Sequence, residues 1–314
     1  MQKNEYCVKD SSLTFILAIV VPNLLAILLI LVAGSFTSLE KFQASTAFKV
    51  ISTIITQIGF IITFFIIKKT SKVSFKAIKM QKLNFKSILI IVLVAFVCLF
   101  LITPLMNVYD SFLISLGIKE QQLSLGLDTP LKLIFLIFAL GILAPICEEF
   151  IFRGIIFSGL KEKGIKNAVL ISSLMFMLMH LSLHQTFYQF ILGIILALLY
   201  YFTQNIFAPI LIHFINNVSI LLINYFSPSF FEYRFLTSNY IILAVMLFLV
   251  GVFFIFHLLL WLRKTNIEKI NNAKKEIEVN VKKENNNQKL KPKYLIISLT
   301  FGILMWIITV VSSI

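Results

Sequence analysis

The sequence predicts an all-α fold, a polytopic bundle of transmembrane helices with an eight-helix core and a ninth, C-terminal span. Of the 314 residues, 59% are hydrophobic and 13% are charged, and the mean hydropathy is +0.95. Such values are typical of membrane proteins and exclude an ordinary soluble domain. The apolar residues fall in runs of about 20, the length that a helix needs to cross about 30 Å of hydrocarbon. Basic residues lie mainly between these runs.

The apolar runs predict nine spans in chain order. The first lacks the small-residue cleavage pattern of a signal peptide and is followed by further spans, so it is interpreted as a true membrane helix. The predicted spans are 12–33, 47–67, 87–107, 130–158, 167–181, 187–203, 206–226, 239–262 and 294–313.

The distribution of lysine predicts the orientation in the membrane. Lysines are concentrated in the 68–86 loop, the 161–166 loop and the stretch 263–293. Basic loops stay in the cytoplasm, so the N-terminus is predicted to be cytoplasmic, in a multi-pass protein of the plasma membrane. The loops predicted to lie outside carry few basic residues; they are 34–46, 108–129 and 227–238. The net charge of +14 is therefore attributed to the loops that orient the chain in the lipid bilayer, and no nucleic-acid partner is expected.

Two polar stretches outside the spans have their own character. The segment 108–129 is amphipathic, which favours a short helix on the outer surface. The stretch 263–293 is rich in Asn, Lys and Glu, and its composition predicts a solvated, mobile linker. The predicted organisation is 1–129 for three N-terminal spans, 130–226 for the core that carries the motifs below, 227–262 for the eighth span, 263–293 for the linker and 294–314 for the last span.

Three charged residues lie deep in the fourth predicted span: Glu148, Glu149 and Arg153. Ionised side chains are costly in a bilayer, so their presence there indicates a functional site. Glu149 and Arg153 are four residues apart, on one face of a helix, with the acid first, which favours an ion pair. Glu148 points about 100° away and has no partner within its own segment. The pattern predicts a structural role for Glu149 and leaves Glu148 for chemistry.

Two further spans bring polar groups to a similar depth. The fifth carries Phe176 and His180, and the seventh carries His213 and Asn217, in each case four residues apart on one face. At about 1.5 Å of rise per residue, Glu148 and these polar groups fall in one layer about 10–20 Å from the cytoplasmic ends of their helices. Three helices are therefore predicted to contribute to one intramembrane site.

The motifs Glu148-Glu149-x-x-x-Arg153, Phe176-x-x-x-His180 and His213-x-x-x-Asn217, in this order, resemble those of the CPBP (CAAX protease and bacteriocin-processing, or Abi) family of intramembrane proteases. The resemblance covers about residues 130–226 and includes the positions of Gly193, Asn205 and Pro209. The remaining spans match only as a membrane scaffold.

This resemblance implies an eight-helix core with a hydrophilic cavity toward the cytoplasm, and hydrolysis of a peptide bond in a membrane-associated peptide or protein. It implies that Glu148 and His180 activate a water molecule and that His213 and Asn217 stabilise the oxyanion. Glu149, Arg153 and Phe176 are then supporting residues. Donors aimed at a developing oxyanion are worth roughly 3–4 kcal/mol each.

Three alternatives remain open from the sequence. One is a zinc-dependent protease, with Glu148, His180 and His213 as ligands and a water molecule in the fourth position. The metal-free mechanism is preferred and no cofactor is expected, because no HExxH pair is present and Asn217 is a poor zinc ligand. The others are a non-catalytic protein for self-immunity against a bacteriocin, and a transporter in which the same carboxylate and histidines relay protons.

The remaining reactive side chains carry no predicted role in catalysis. Cys7, Cys98 and Cys147 share no metal or redox spacing, so no disulfide is expected, and Cys147 is interpreted as a packing residue. His184, at the outer turn between the fifth and sixth spans, is predicted to be an interfacial residue. His257, among phenylalanines of the eighth span, is predicted to pack or snorkel.

Overall fold

The computed structural model describes residues 5–34, 46–118, 129–227, 237–284 and 292–312, and these residues form a bundle of helices. Within them no strand is present beyond one isolated bridge between Met80 and Asn205. The helices are α1 (Val8–Gly34), α2 (Thr46–Ser71), α3 (Phe85–Ser115), α4 (Pro130–Lys163), α5 (Ile165–Met179), α6 (Leu183–Thr203), α7 (Phe207–Phe226), α8 (Ser238–Thr265), α9 (Ile267–Glu284) and α10 (Lys293–Ser312). The predicted all-α membrane bundle is confirmed.

Eight of the helices described are long and apolar enough to cross a membrane, namely α1 to α4, α6 to α8 and α10. The fifth predicted span is the exception, because α5 has only 15 residues and ends at Met179. His180 caps it, and Leu181 adopts a positive φ of 49° that turns the chain toward α6. The end of this short helix therefore places His180 inside the bundle.

The prediction of a mobile linker over 263–293 was wrong for most of that stretch, which contains the 18-residue helix α9. Asn266, Ile270 and Ala273 are buried, so one face of this polar helix packs against the bundle. Its charged face also makes contacts, since Lys269 Nζ donates to the carbonyl of Lys82 at 2.7 Å. The low mean hydropathy of the stretch gave no indication that Ile270 and Ala273, three residues apart, are buried on one face of this helix. Residues 285–291 of the linker lie outside the described residues.

The segment 108–129, predicted to be external, also differs from its prediction in its first part. Helix α3 continues to Ser115, eight residues beyond the predicted end of the third span. Residues 108–115 therefore belong to α3 and do not form a separate surface helix. Residues 119–128 lie outside the described residues, as do 35–45 and 228–236 in the other two loops predicted to be external.

Helix α4 is the centre of the bundle. Every residue from Ile151 to Leu160 is buried, so this half of the helix is covered on all sides. Ser11 of α1 donates its hydroxyl to the carbonyl of Ile156 at 2.9 Å. Phe157 meets Tyr200 of α6 edge to face. The helix that carries the three charged residues is thus held by neighbours at the end predicted to be cytoplasmic.

The loop between α2 and α3 closes that end. A Cβ on Gly154 would lie 3.1 Å from Ile78 Cδ1, so the loop presses directly against α4. The backbone N–H of Lys79 donates to the hydroxyl of Tyr200 at 3.1 Å, and the side chain of Lys79 pairs with Glu276 of α9 at 2.8 Å. Loop and α9 together fix the position of α4.

Helix α4 is also irregular. It contains two π-helical segments, Ile137–Leu143 and Phe150–Phe157, on either side of the α-helical turn Ala144–Glu149. Such widened turns leave backbone groups without their usual partners and are frequent at functional sites. Both glutamates lie in the regular turn between them.

Candidate active site

The ion pair predicted between Glu149 and Arg153 is present. Arg153 Nη1 donates to Glu149 Oε1 at 3.0 Å, and both side chains are at most 1% exposed. Arg153 Nη2 donates to the backbone carbonyl of Gly193 in α6 at 3.1 Å. The guanidinium also lies 4.5 Å from the ring centre of Phe176, a favourable cation–π distance. Arg153 is therefore held by α4, α5 and α6 together.

Gly193 allows the hydrogen bond between its own carbonyl and Arg153. A Cβ at this position would lie 3.1 Å from the Cα of Ser173 in α5, tighter than ordinary packing. The absence of a side chain lets α5 and α6 approach closely, and the carbonyl of Gly193 reaches the guanidinium. The sequence indicated this position through the family resemblance but did not reveal its contact.

His213 joins the same carboxylate. Its Nδ1 lies 3.0 Å from Glu149 Oε1, and its Nε2 lies 3.9 Å from Glu148 Oε2. A carboxylate only accepts hydrogen bonds when ionised, so Nδ1 carries a proton and Nε2 faces Glu148. One oxygen of Glu149 thus orients both Arg153 and the imidazole of His213.

Glu148 differs from its neighbour in its contacts. Its carboxylate oxygen Oε2 is buried and has no hydrogen-bond donor among the residues described, and 3.9 Å from His213 is too long for a hydrogen bond. Oε2 of Glu149 is buried without a donor as well, so the two carboxylates differ in the hydrogen bonds that Oε1 of Glu149 accepts from Arg153 and His213. A buried carboxylate oxygen without a donor is costly, so such a group marks a place for water or substrate. This matches the geometric prediction that Glu148 has no partner within its own segment.

His180 completes the layer from the end of α5. Its Nδ1 lies 2.8 Å from the carbonyl of Phe176, an atom that only accepts, so Nδ1–H donates and Nε2 keeps a lone pair. The ring of Phe176 meets His180 edge to face at 4.8 Å between centres and His213 at 6.0 Å. The three sequence motifs therefore meet around one buried aromatic ring. His180 does not pair directly with Glu148.

Asn217 is bound to α4. Its Nδ2 donates to the carbonyl of Leu140 at 2.9 Å, within the first π-helical segment. The N–H of Ala144, the α-helical donor for this carbonyl, bonds to Ala139 instead. The next candidate is Pro145, which has no N–H. Leu140 therefore has a free carbonyl oxygen, and Asn217 satisfies it.

Two residues of this region were missed by the sequence reasoning. Asn216 Nδ2 donates to Asn217 Oδ1 at 3.3 Å, and the hydroxyl of Tyr188 in α6 hydrogen-bonds to Asn216 Oδ1. The only sequence signal was the unusual pair of adjacent asparagines in an apolar span. Tyr188 gave none, because tyrosine is common in membrane helices.

The other singled-out residues lie apart from this cluster. His184 pairs with Asp110 of α3 at the start of α6. His257 is exposed and stays on its own helix, with its Nδ1 2.8 Å from the carbonyl of Phe253. Cys147 is buried and is not in a disulfide. The buried position of Cys147 agrees with the packing role predicted for it, and neither histidine contacts the cluster described above.

The zinc alternative requires Glu148, His180 and His213 to converge on one point. Among the residues described, no group of three or more His, Cys, Asp or Glu side chains is placed to hold a metal ion. His213 already uses Nδ1 for Glu149.

An apolar cavity of about 280 Å³ opens on the outer surface of the bundle, between the start of α3, α4 and α7. Ile146 lies two residues before Glu148 and is 39% exposed, so the cavity lies against the outer face of α4, whereas Glu148 is buried on another face. Its lining is wholly hydrophobic: Leu83, Ile88, Ile142, Ile146, Phe207, Ile210, Leu211 and Phe214. The resemblance implied a hydrophilic cavity, whereas this one suits an apolar chain.

Comparisons with known proteins agree with the motifs. Residues 130–219 match the family described as Type II CAAX prenyl endopeptidase Rce1-like. YdiL of Bacillus subtilis (strain 168), whose name describes it as a membrane peptidase, is 32% identical over 114 residues, 36% of this chain and 47% of YdiL. The membrane-embedded CAAX protease MroQ of Staphylococcus aureus (strain USA300) is 28% identical over 117 residues, 35% of this chain and 47% of MroQ. The chain thus spans about half the length of the curated relatives it matches, and no solved structure gives a significant match.

Proposed function

We propose that this chain, whose motif-bearing segment belongs to the CPBP family of CAAX proteases, is an intramembrane endopeptidase. It would hydrolyse a peptide bond of a membrane-associated peptide or protein with a water molecule activated by Glu148 and His180. The apolar helices and the membrane-protein relatives support a multi-pass location.

The observation that carries the proposal is the unequal use of two adjacent glutamates. Oε1 of Glu149 accepts from both Arg153 and His213, so the charge of this carboxylate is paired, whereas Oε2 of Glu148 is buried without a donor. A base must have a free lone pair within reach of the water that it deprotonates. Oε2 of Glu149 is also without a donor, but Glu149 is 0% exposed and paired with Arg153, so Glu148, at 9% exposure, is the glutamate that we assign as the base.

The reaction follows from these positions. Glu148 takes a proton from water, and the oxygen of that water forms a bond to the substrate carbonyl carbon. His180, with Nε2 free to accept a hydrogen bond, holds the same water from the opposite side; this explains why His180 and Glu148 need not touch. Glu148 then returns its proton to the departing amine, and the C–N bond breaks.

The developing oxyanion needs donors. His213 can donate from Nε2 only when both ring nitrogens are protonated, and Glu149 already accepts the proton on Nδ1. Asn217 has two N–H groups on Nδ2, one of which is used by Leu140. The second remains for the substrate. Removing one such donor typically costs on the order of 100- to 1,000-fold in rate.

The apolar cavity supports an apolar substrate segment. Its hydrophobic lining includes Ile146 of α4 and Phe214 of α7, so an apolar chain bound there would lie against the two helices that carry Glu148 and His213. A peptide whose cleavage site is flanked by an apolar stretch or a lipid fits this arrangement.

The experiment uses the purified chain in proteoliposomes with membrane peptides as substrate and mass spectrometry of the new termini. Wild type should generate cleavage products that Glu148→Gln does not, and Glu276→Gln, which alters a surface pair, should retain them. Activity should survive a strong zinc chelator. Identical peptide profiles for wild type and Glu148→Gln would overturn the protease proposal, and activity lost to chelation and restored only by zinc would overturn the metal-free mechanism.

A further inference from the structure

We infer that Tyr188, acting through Asn216, is a positioning residue that fixes the amide of Asn217 for the oxyanion. The inference rests on the proposed function and adds to it a residue outside all three motifs. The three side chains form one hydrogen-bonded series from α6 through α7 to the backbone of α4. We call this series the amide relay.

The direction of every hydrogen bond in the amide relay is fixed by its last member. The carbonyl of Leu140 can only accept, so the atom of Asn217 that faces it must be the NH₂ group. Oδ1 of Asn217 then faces Asn216, which must donate its own NH₂. Oδ1 of Asn216 is left facing Tyr188, whose hydroxyl must donate. No alternative flip of either amide satisfies all three contacts.

This polarity decides what Asn217 offers to the site. With Oδ1 held by Asn216 and one N–H held by Leu140, the second N–H is the only hydrogen-bonding group of Asn217 not engaged in the relay. An amide turned by 180° would place its carbonyl oxygen at the oxyanion and repel it. The relay therefore selects the donor orientation.

Tyr188 holds the middle member of the relay in place. Asn216 is buried, at 3% exposure, so its Oδ1 needs a donor and would otherwise favour another rotamer. Without the tyrosine hydroxyl, Oδ1 of Asn216 loses its donor, and Asn216 holds Oδ1 of Asn217 less firmly. A hydroxyl on α6 thus acts on catalysis across two side chains.

A purely structural role for Tyr188 makes a different prediction. A hydroxyl that merely ties α6 to α7 would lower stability and leave the rate per folded molecule unchanged. A positioning role lowers kcat with KM unchanged, because the oxyanion forms only in the transition state. Its effect also disappears once Asn217 is gone.

The chain offers a matched control on the same helix. Tyr201 is buried in α6, and its hydroxyl has no hydrogen-bond partner within the described part of the chain. Tyr201→Phe removes the same atom as Tyr188→Phe without breaking a hydrogen bond.

The experiment measures kcat and KM in proteoliposomes with a quenched fluorescent peptide that carries a sequence cleaved by wild type and not by Glu148→Gln. Tyr188→Phe should lower kcat by about 10- to 100-fold, the range for small displacements of catalytic groups, at unchanged KM. Tyr188→Phe/Asn217→Ala should be no slower than Asn217→Ala alone, and Tyr201→Phe should match wild type. A wild-type kcat for Tyr188→Phe, or effects that multiply in the double variant, would overturn the inference.

Thermal stability tests the relay without requiring activity. The same variants are melted in detergent, and the shift in Tm of the double variant should be smaller than the sum of the single shifts, because both act on Asn216. If wild type and Glu148→Gln give the same cleavage products, the proposed function fails. Additive Tm shifts would then overturn the relay as well. Non-additive shifts with an inactive wild type would keep the relay and refute only the protease.

Discussion

Neutralising Glu149 should damage the scaffold of the site as well as its chemistry. In Glu149→Gln the amide oxygen can still accept from Arg153 and His213, because both contacts use Oε1 alone. The substitution therefore removes the charge and little of the shape. Arg153, 1% exposed, is left without its counter-ion, and breaking a buried pair by removing one partner typically costs on the order of 3–5 kcal/mol.

A second ion pair provides the matched control. Glu276 pairs with Lys79 at 2.8 Å, close to the 3.0 Å between Glu149 and Arg153, but the side chain of Glu276 is 45% exposed. Surface pairs of this kind contribute about 0–1 kcal/mol, so Glu276→Gln should shift stability little. Both variants replace a paired glutamate by glutamine, and the pairs differ in burial and in the cation, which is Arg153 in one and Lys79 in the other.

The assay is thermal or SDS-induced unfolding of purified protein in detergent, paired with single-turnover rates. Glu149→Gln should lose both stability and rate, and Glu149→Gln/Arg153→Met should recover part of the stability, since the stranded charge is gone. Recovery stays incomplete because Met cannot replace the hydrogen bond from Arg153 to Gly193. If Glu149→Gln melts like wild type and is merely inactive, the structural role assigned to this carboxylate is wrong.

Three further outcomes are expected. Glu148→Gln should abolish turnover with little change in Tm, since its Oε2 has no donor to lose; substantial residual turnover would refute its role as base. Pro145→Ala supplies an N–H that competes with Asn217 for the carbonyl of Leu140, so kcat should fall while Tm holds or rises, and an unchanged kcat would show that this carbonyl does not matter. A reporter in the 68–86 loop should give a cytoplasmic signal, and an extracellular signal would reverse the proposed orientation.

The sequence predicted the parts of the fold that depend on composition and spacing. Long apolar runs predicted the spans, and the four-residue spacing predicted the pair between Glu149 and Arg153. The prediction for α9 was wrong, because the stretch is polar on average although Ile270 and Ala273 are buried on one face of the helix. Periodicity was present there and would have predicted a helix.

The details that could not be predicted are those set by the backbone. The π-helical segments on either side of Ala144–Glu149 have no reliable sequence signature, and the first of them, together with Pro145, releases the carbonyl that holds Asn217. A proline near that carbonyl reads from sequence only as a helix irregularity. The direction of the amide relay follows from this released carbonyl and was therefore beyond the reach of spacing arguments.

Phe176 explains why three weak motifs form one site. Its ring is completely buried and contacts the guanidinium of Arg153 at 4.5 Å, His180 at 4.8 Å and His213 at 6.0 Å between centres. An apolar ring at this point separates the two imidazoles, covers the guanidinium and keeps water from reaching the ion pair with Glu149. Electrostatic interactions are stronger in such a dry environment. The aromatic residue of the second motif thus connects α4, α5 and α7 without taking part in proton transfer, and this is why an otherwise inert residue belongs beside the charged ones.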